Sequence, residues 1–102
     1  MMTQLKKGAL ELCILSLLIR RDYYGFELVA AIPQEIEMSE GTVYPLLKRL
    51  RDDGLLTTYW KESSGGPPRK YYRISPKGND AYVAMRTQWE TFSGAVNRLL
   101  NT

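Results

Sequence analysis

Thr42, Tyr44, Lys48 and Arg49 place two hydroxyls and two cations within one short stretch. Hydroxyls exchange hydrogen bonds with base edges, and cations neutralise phosphate, so this set points to nucleic-acid contact. A second basic pair, Arg69–Lys70, follows a run rich in glycine and proline, Glu62–Pro68. Covalent chemistry has no comparable support. The chain contains no histidine, and so lacks the commonest general base and metal ligand. Its single cysteine, Cys13, sits in an apolar run and reads as a small buried hydrophobe. No paired acids or activated nucleophile stand at helical or strand spacing. The reading is therefore of a protein that is not an enzyme, with no catalytic residues, no cofactor and no metal site.

These groups need a helix to present them. Ser39 is a suitable N-cap, Glu40 places an acid in the first turn, and Gly54 follows the end. Val43, Leu46, Leu47 and Leu50 recur at three and four and form one apolar face. Thr42, Pro45, Lys48, Arg49 and Asp52 fall on the other side, with Tyr44 at the border. Such a helix could lie in the major groove. Taken alone, an ordinary amphipathic helix with a solvated face is the stronger reading. Pro45 removes the hydrogen bond to the Gly41 carbonyl, and a local kink is the expected accommodation.

The elements on either side shift that balance. Met1 to Lys7 reads as a short, partly frayed polar and basic lead-in, followed by a helix to about Arg20. That helix is apolar around most of its circumference, so part of its cover is expected from a second subunit. Arg20–Asp22 is a polar turn, and a second helix is predicted from Tyr23–Gly25 to Ile32, stopped by Pro33. Ile36 and Met38 anchor the connection to Ser39. This order is the skeleton of a helix-turn-helix. After Gly54, Leu55–Lys61 and Arg69–Ile74 read as two strands around a loop at Glu62–Pro68, a wing. Ser75 caps a last helix with Pro76 at its first position. There Tyr82, Met85, Trp89, Phe92, Val96 and Leu99 repeat at intervals of three and four, as a heptad seam does. A dimer seam is favoured over packing within the chain. The fold class is mainly α with a β-hairpin. Residues 1–75 form a winged helix-turn-helix, and 76–102 form a C-terminal dimerisation helix packed on the same domain.

Composition agrees with this. The chain has 102 residues and a net charge of +3, a mild lean toward an anionic partner. Leu12–Ile19 is too short to span a bilayer, and no signal-peptide cleavage pattern follows it. The expected setting is a reducing cytoplasm.

Several motifs together resemble the PadR family of bacterial transcriptional regulators. They are Lys7-Gly8 with Leu10-Glu11, Tyr24-Gly25-Phe26-Glu27-Leu28, Gly41-Thr42-Val43-Tyr44-Pro45-Leu46-Leu47-Lys48-Arg49-Leu50, Asp53-Gly54-Leu55-Leu56, and Arg69-Lys70-Tyr71-Tyr72-Arg73-Ile74-Ser75-Pro76-Lys77-Gly78. The chain is similar to the subgroup with a single C-terminal helix. The resemblance implies a homodimer that represses transcription at a palindromic double-stranded operator and responds to a small aromatic or hydrophobic molecule. The implied dimer interface uses the last helix together with Leu10 and Ile14 of the first. In some drug-sensing relatives a ligand sits between tryptophans at the dimer centre, and the matching position here is Trp89. Met85, Trp89 and Phe92 are accordingly the candidate effector-binding residues, with core packing an equal alternative. Some relatives also carry a tryptophan where Trp60 stands.

Within this frame Lys48, Arg49, Arg69 and Lys70 are assigned to phosphate, with Gly65 and Gly66 letting the wing approach closely. Thr42 and Tyr44 are candidates for base readout, beside Gly41 and Pro45. Ser39 has a competing task as cap. Tyr24 is assigned either to a phosphate or to burial against the third helix. Arg51 and Arg73 are expected to be solvated or paired with Asp52, Asp53 or Glu62. The alternative function is a winged helix that binds a protein and reads no DNA sequence.

Overall fold

The computed structural model describes residues 2–102, with side chains from residue 8 onward. Helix α1 spans Met2–Leu18. Residues 2–7 of the segment expected as a partly frayed lead-in are therefore helical, since the good helix formers Gln4, Leu5, Lys6 and Lys7 precede Gly8 and no proline interrupts them, while Met1 lies outside the described residues. Leu10, Ile14, Leu15 and Leu18 of α1 are buried. This corrects the expectation for Leu10 and Ile14. At 1% and 0% exposure they are already covered inside their own chain and have no surface left for a second subunit.

The second helix starts later than expected. Tyr23–Tyr24 form a short strand, β1, and α2 spans Gly25–Ala31. Two residues have no periodicity to read, and β1 exists only because it pairs antiparallel with a distant strand, Tyr23 opposite Tyr72 and Tyr24 opposite Tyr71. The Glu27 carboxylate accepts the Tyr24 backbone N–H at 3.1 Å and so caps α2. Ile32, extended before Pro33, ends it. A 3₁₀ turn at Gln34–Ile36 leads to α3, Glu40–Asp52, which stays helical through Pro45. Ser39 occupies the N-cap position, but its hydroxyl meets the Thr42 hydroxyl at 3.2 Å instead of capping a backbone N–H.

Strands β2 (Leu56–Ser63) and β3 (Gly66–Ile74) form the wing, giving a sheet of order β1-β3-β2. Only Ser64 and Gly65 join them, with Gly65 at φ 77°. Most of the expected 62–68 loop is therefore strand. Pro67 and Pro68 fit there because β1 pairs β3 only at Tyr71 and Tyr72, leaving that edge open, and the register is irregular between Lys61 and Ser63.

The end of α3 is tied to the start of α4, Pro76–Leu100. Gly54, at φ 79°, closes α3 with Leu55 N–H donating to Leu50 O and Gly54 N–H to Arg51 O, both at 2.9 Å. Ser75 accepts the Gly78 N–H at 3.0 Å as N-cap and donates to Gly54 O at 2.6 Å. Lys77 Nζ donates to Asp53 O at 2.9 Å. A side chain at Gly78 would overlap the Leu55 carbonyl, so the two elements meet backbone to backbone. Leu28, Ile32, Val43, Leu46, Leu47, Leu50, Leu56, Tyr23 and Tyr72 join the α1 side chains in one core, with Ile36, Met38, Tyr82 and Met85 packed on it.

Candidate nucleic-acid interface

Helix α3 separates its two tasks by face. Val43, Leu46, Leu47 and Leu50 are buried, each burial worth about 1.5–3 kcal/mol. Gly41, Thr42, Tyr44, Pro45, Lys48 and Arg49 are exposed. The Tyr44 ring lies against Gly25, where an added Cβ would come within 2.6 Å of its Cε1. Gly25 thus sets where Tyr44 sits, a role its own residue type does not advertise. Lys48 pairs with Asp52 at 3.2 Å and holds that carboxyl below its usual range. Arg49 reaches Glu11 at 3.8 Å. Exposed pairs of this kind are weak, so both cations remain available to phosphate.

Tyr24 occupies the N-cap position of α2. It is half-buried, with its ring 6.5 Å from Phe26 and 5.6 Å from Tyr71, and the Arg69 guanidinium lies 4.6 Å above it. Arg21, stacked 3.6 Å over Tyr23, is ion-paired to Glu27 at 3.3 Å and braces the same corner.

The wing divides the basic pair that the sequence places side by side. Successive strand residues point to opposite faces. Arg69 stands opposite Lys61 on the outer face, whereas Lys70 stands opposite Trp60 on the inner face, its ammonium 5.9 Å from the Tyr72 ring. Gly66 is exposed at the start of β3. Arg51 pairs with Asp52 at 3.5 Å, as expected. Arg73 differs: its partner is Asp22 at 3.1 Å, a residue far away in sequence. Asp22 also accepts the Tyr59 hydroxyl at 2.7 Å, which raises that phenol above its usual range.

Away from this surface, Met85, Trp89 and Phe92 of α4 border an open groove of about 320 Å3 with Gly8, Ala9 and Leu12 of α1. Trp89 separates it from a second groove, of about 330 Å3, that includes Cys13, Tyr82 and Arg86. Burial raises the Cys13 thiol, the opposite of what a nucleophile needs. Among the described residues no group of histidine, cysteine, aspartate and glutamate could hold a metal ion.

Comparison with known proteins decides the family. Residues 14–84 match the transcriptional regulator PadR-like family. The chain is a PadR-like transcriptional regulator. It is 39% identical to a PadR-like transcriptional regulator from Bacillus cereus strain ATCC 14579, whose crystal structure superposes with a TM-score of 0.87 over 97% of this chain and 98% of that one. A PadR-like transcription factor from Bacteroides fragilis is 38% identical, with a TM-score of 0.79 over 95% of both chains. An uncharacterized protein of Lysinibacillus sphaericus is 30% identical over 87 residues, 81% of this chain and 80% of its own. Family membership makes the chain a DNA-binding regulator of transcription and not an enzyme.

In this PadR-like regulator, sequence reasoning located the exposed side of α3 and missed three supporting groups. Gly25 supports Tyr44, Asp22 anchors the outer face of the sheet, and Lys61 stands opposite Arg69. Lys61 had a readable signal, because an alternating strand that places Leu56 inward places Lys61 outward. Asp22 had none, since its partners, Tyr59 and Arg73, are far from it in sequence.

Proposed function

We propose that this PadR-like regulator binds a two-fold symmetric operator as a homodimer, represses the adjacent gene in the cytoplasm and responds to a small aromatic or hydrophobic effector at the dimer centre. In this reading residues 1–75 contact DNA and 76–102 join the subunits. The observation behind it is the α4 seam. Tyr82 and Met85 pack on the core, yet Trp89, Phe92 and Leu99, at the same heptad spacing, are 43%, 59% and 77% exposed. Solvent gives no reason for so regular an apolar row, and a second copy of α4 would cover it. The grooves beside Trp89 would then lie at the dimer centre, with Met85, Trp89 and Phe92 facing an effector.

On the DNA side, Thr42 and Tyr44 read bases, while Lys48, Arg49, Arg69 and Lys70 meet phosphates. Ser39, Gly41 and Pro45 shape the first turn of α3, and Gly66 brings the wing close. Two such helices related by a two-fold axis fit half-sites about one helical turn apart. No described helix is long and apolar enough to cross a membrane, and none is needed. Fluorescence anisotropy against the protein's own upstream DNA and a scrambled duplex tests the proposal. A preference of about three orders of magnitude or more is expected. Equal, weak binding to both duplexes would refute it.

A further inference from the structure

The outer face of the sheet carries a pattern that recognition by α3 does not use. Tyr24 of β1, Tyr71 of β3 and Tyr59 of β2 stand in register and form one rung across all three strands. Adjacent rings are 5.6 Å and 5.5 Å apart. The next rung toward the wing tip is Lys61 opposite Arg69. Each cation leans back onto the tyrosines, Lys61 5.4 Å from the Tyr71 ring and Arg69 4.6 Å from the Tyr24 ring. Like charges directly opposite one another destabilise a strand pair unless an anion joins them. Arg21, Arg73 and Arg86 find carboxylates in Glu27, Asp22 and Glu90, whereas Arg20, Lys70, Lys77 and Arg98 have none among the described residues. Among the described residues Lys61 and Arg69 have no such partner, although Glu62 is adjacent in sequence.

We infer that Lys61 and Arg69 form a clamp for a single backbone phosphate of duplex DNA on the outer face of the wing, and that Tyr24 and Tyr71 are positioning residues holding the two cationic heads together. The clamp rests on the DNA-binding reading above and adds to it a cation, Lys61, and a geometry. Residues directly opposite in an antiparallel pair have Cβ atoms about 4.5–5.5 Å apart, so both heads can converge on one phosphate. The rings supply the electron-rich faces that keep the cations beside each other until the phosphate arrives. The inner-face Lys70 then serves a different part of the backbone, so the wing contacts DNA from both sides.

The test is a salt series of anisotropy titrations with the full chain, using a duplex from its own upstream DNA and a scrambled duplex. Lys61→Gln and Arg69→Gln are each expected to weaken binding to both duplexes several-fold. The double variant should lower the slope of log affinity against log salt by about one, the signature of one lost phosphate. A drop of about two would replace the shared clamp with two separate contacts and overturn the inference, as would a double variant identical to wild type. Tyr71→Phe keeps the ring and should bind as wild type, whereas Tyr71→Leu should bind more weakly. Equal binding by both would overturn the positioning role. Lys48→Gln separates the two readings. If it weakens binding while the outer-face double variant does not, the clamp fails and DNA binding through α3 stands. A wild type that binds both duplexes weakly and equally removes the DNA reading and the clamp with it.

Discussion

Tyr44 shows how a single residue depends on a neighbour with no side chain. Its ring occupies the space that a Cβ on Gly25 would take. The ring end is the movable part, so Gly25→Ala should leave the protein folded, with thermal melting nearly unchanged, while the displaced Tyr44 lowers DNA affinity. An unfolded variant, or one with wild-type affinity, would show that the contact does not set the hydroxyl. Pro45 makes a similar claim. If it orients the first turn of α3, Pro45→Ala will change affinity or selectivity in the same titration. Two tyrosines contribute, beside the half-buried Cys13 thiol, to the alkaline pH dependence. The hydrogen bond to Asp22 raises Tyr59, and burial raises Tyr72. Both therefore hold their protons to higher pH folded than unfolded. The resulting stability is complete below the ordinary tyrosine pKa near 10 and is lost as pH rises through the folded values. Urea midpoints measured between about pH 8 and 11 should fall, and Tyr59→Phe should flatten that fall. An equal decline in the variant would remove Tyr59 from the account.

Among the elements, the junction of α3 and α4 matters most to the proposed function because it ties the helix proposed to face DNA to the helix proposed to dimerise. Backbone carbonyls of Asp53, Gly54 and Leu55 accept hydrogen bonds from Lys77, Ser75 Oγ and Ser75 N–H. Gly78 allows that approach, and the atoms it faces are the Leu55 carbonyl and Ile74 Cγ1, not a movable side-chain tip. Gly78→Ala should therefore cost about 1–3 kcal/mol or more, as overpacking does, read from denaturant unfolding. Ser75→Ala removes only the cap and one further bond, and should cost about 1 kcal/mol. A Gly78→Ala protein as stable as wild type would mean that the junction yields easily, and α4 could then move without carrying α3.

For the whole molecule the question is what covers α4. The principal extents are 56 × 28 × 21 Å, and α4 alone, at 25 residues, is about 38 Å long. A helix of that length outruns the core that packs Tyr82 and Met85. Phe92→Glu places a charge in the exposed row and should convert a dimer to a monomer by sedimentation, with DNA affinity falling in parallel. The change leaves the monomer core untouched, since Phe92 lies outside it. A variant that stays dimeric would move the subunit contact elsewhere.

The elements with strong local signals were legible without coordinates. Apolar spacing marks the buried side of α3, Gly54 marks its end, Ser75-Pro76 opens α4, and the residue types of 55–61 and 69–74 mark a wing. Local interactions and periodicity determine these features, and any fold containing the chain must respect them. Other features required the tertiary structure because their partners are far apart in sequence. Strand β1 forms only against Tyr71 and Tyr72. Asp22 finds Arg73 and Tyr59 only when the sheet closes. Leu10 and Ile14 turn inward because the rest of the core, not a second subunit, covers that side of α1. The same closure sends Arg69 and Lys70, neighbours in the chain, to opposite faces of the wing and sets Arg69 beside Lys61. Sequence order determined which hydroxyls and cations the chain offers, and strand pairing decided which of them share a face of the sheet.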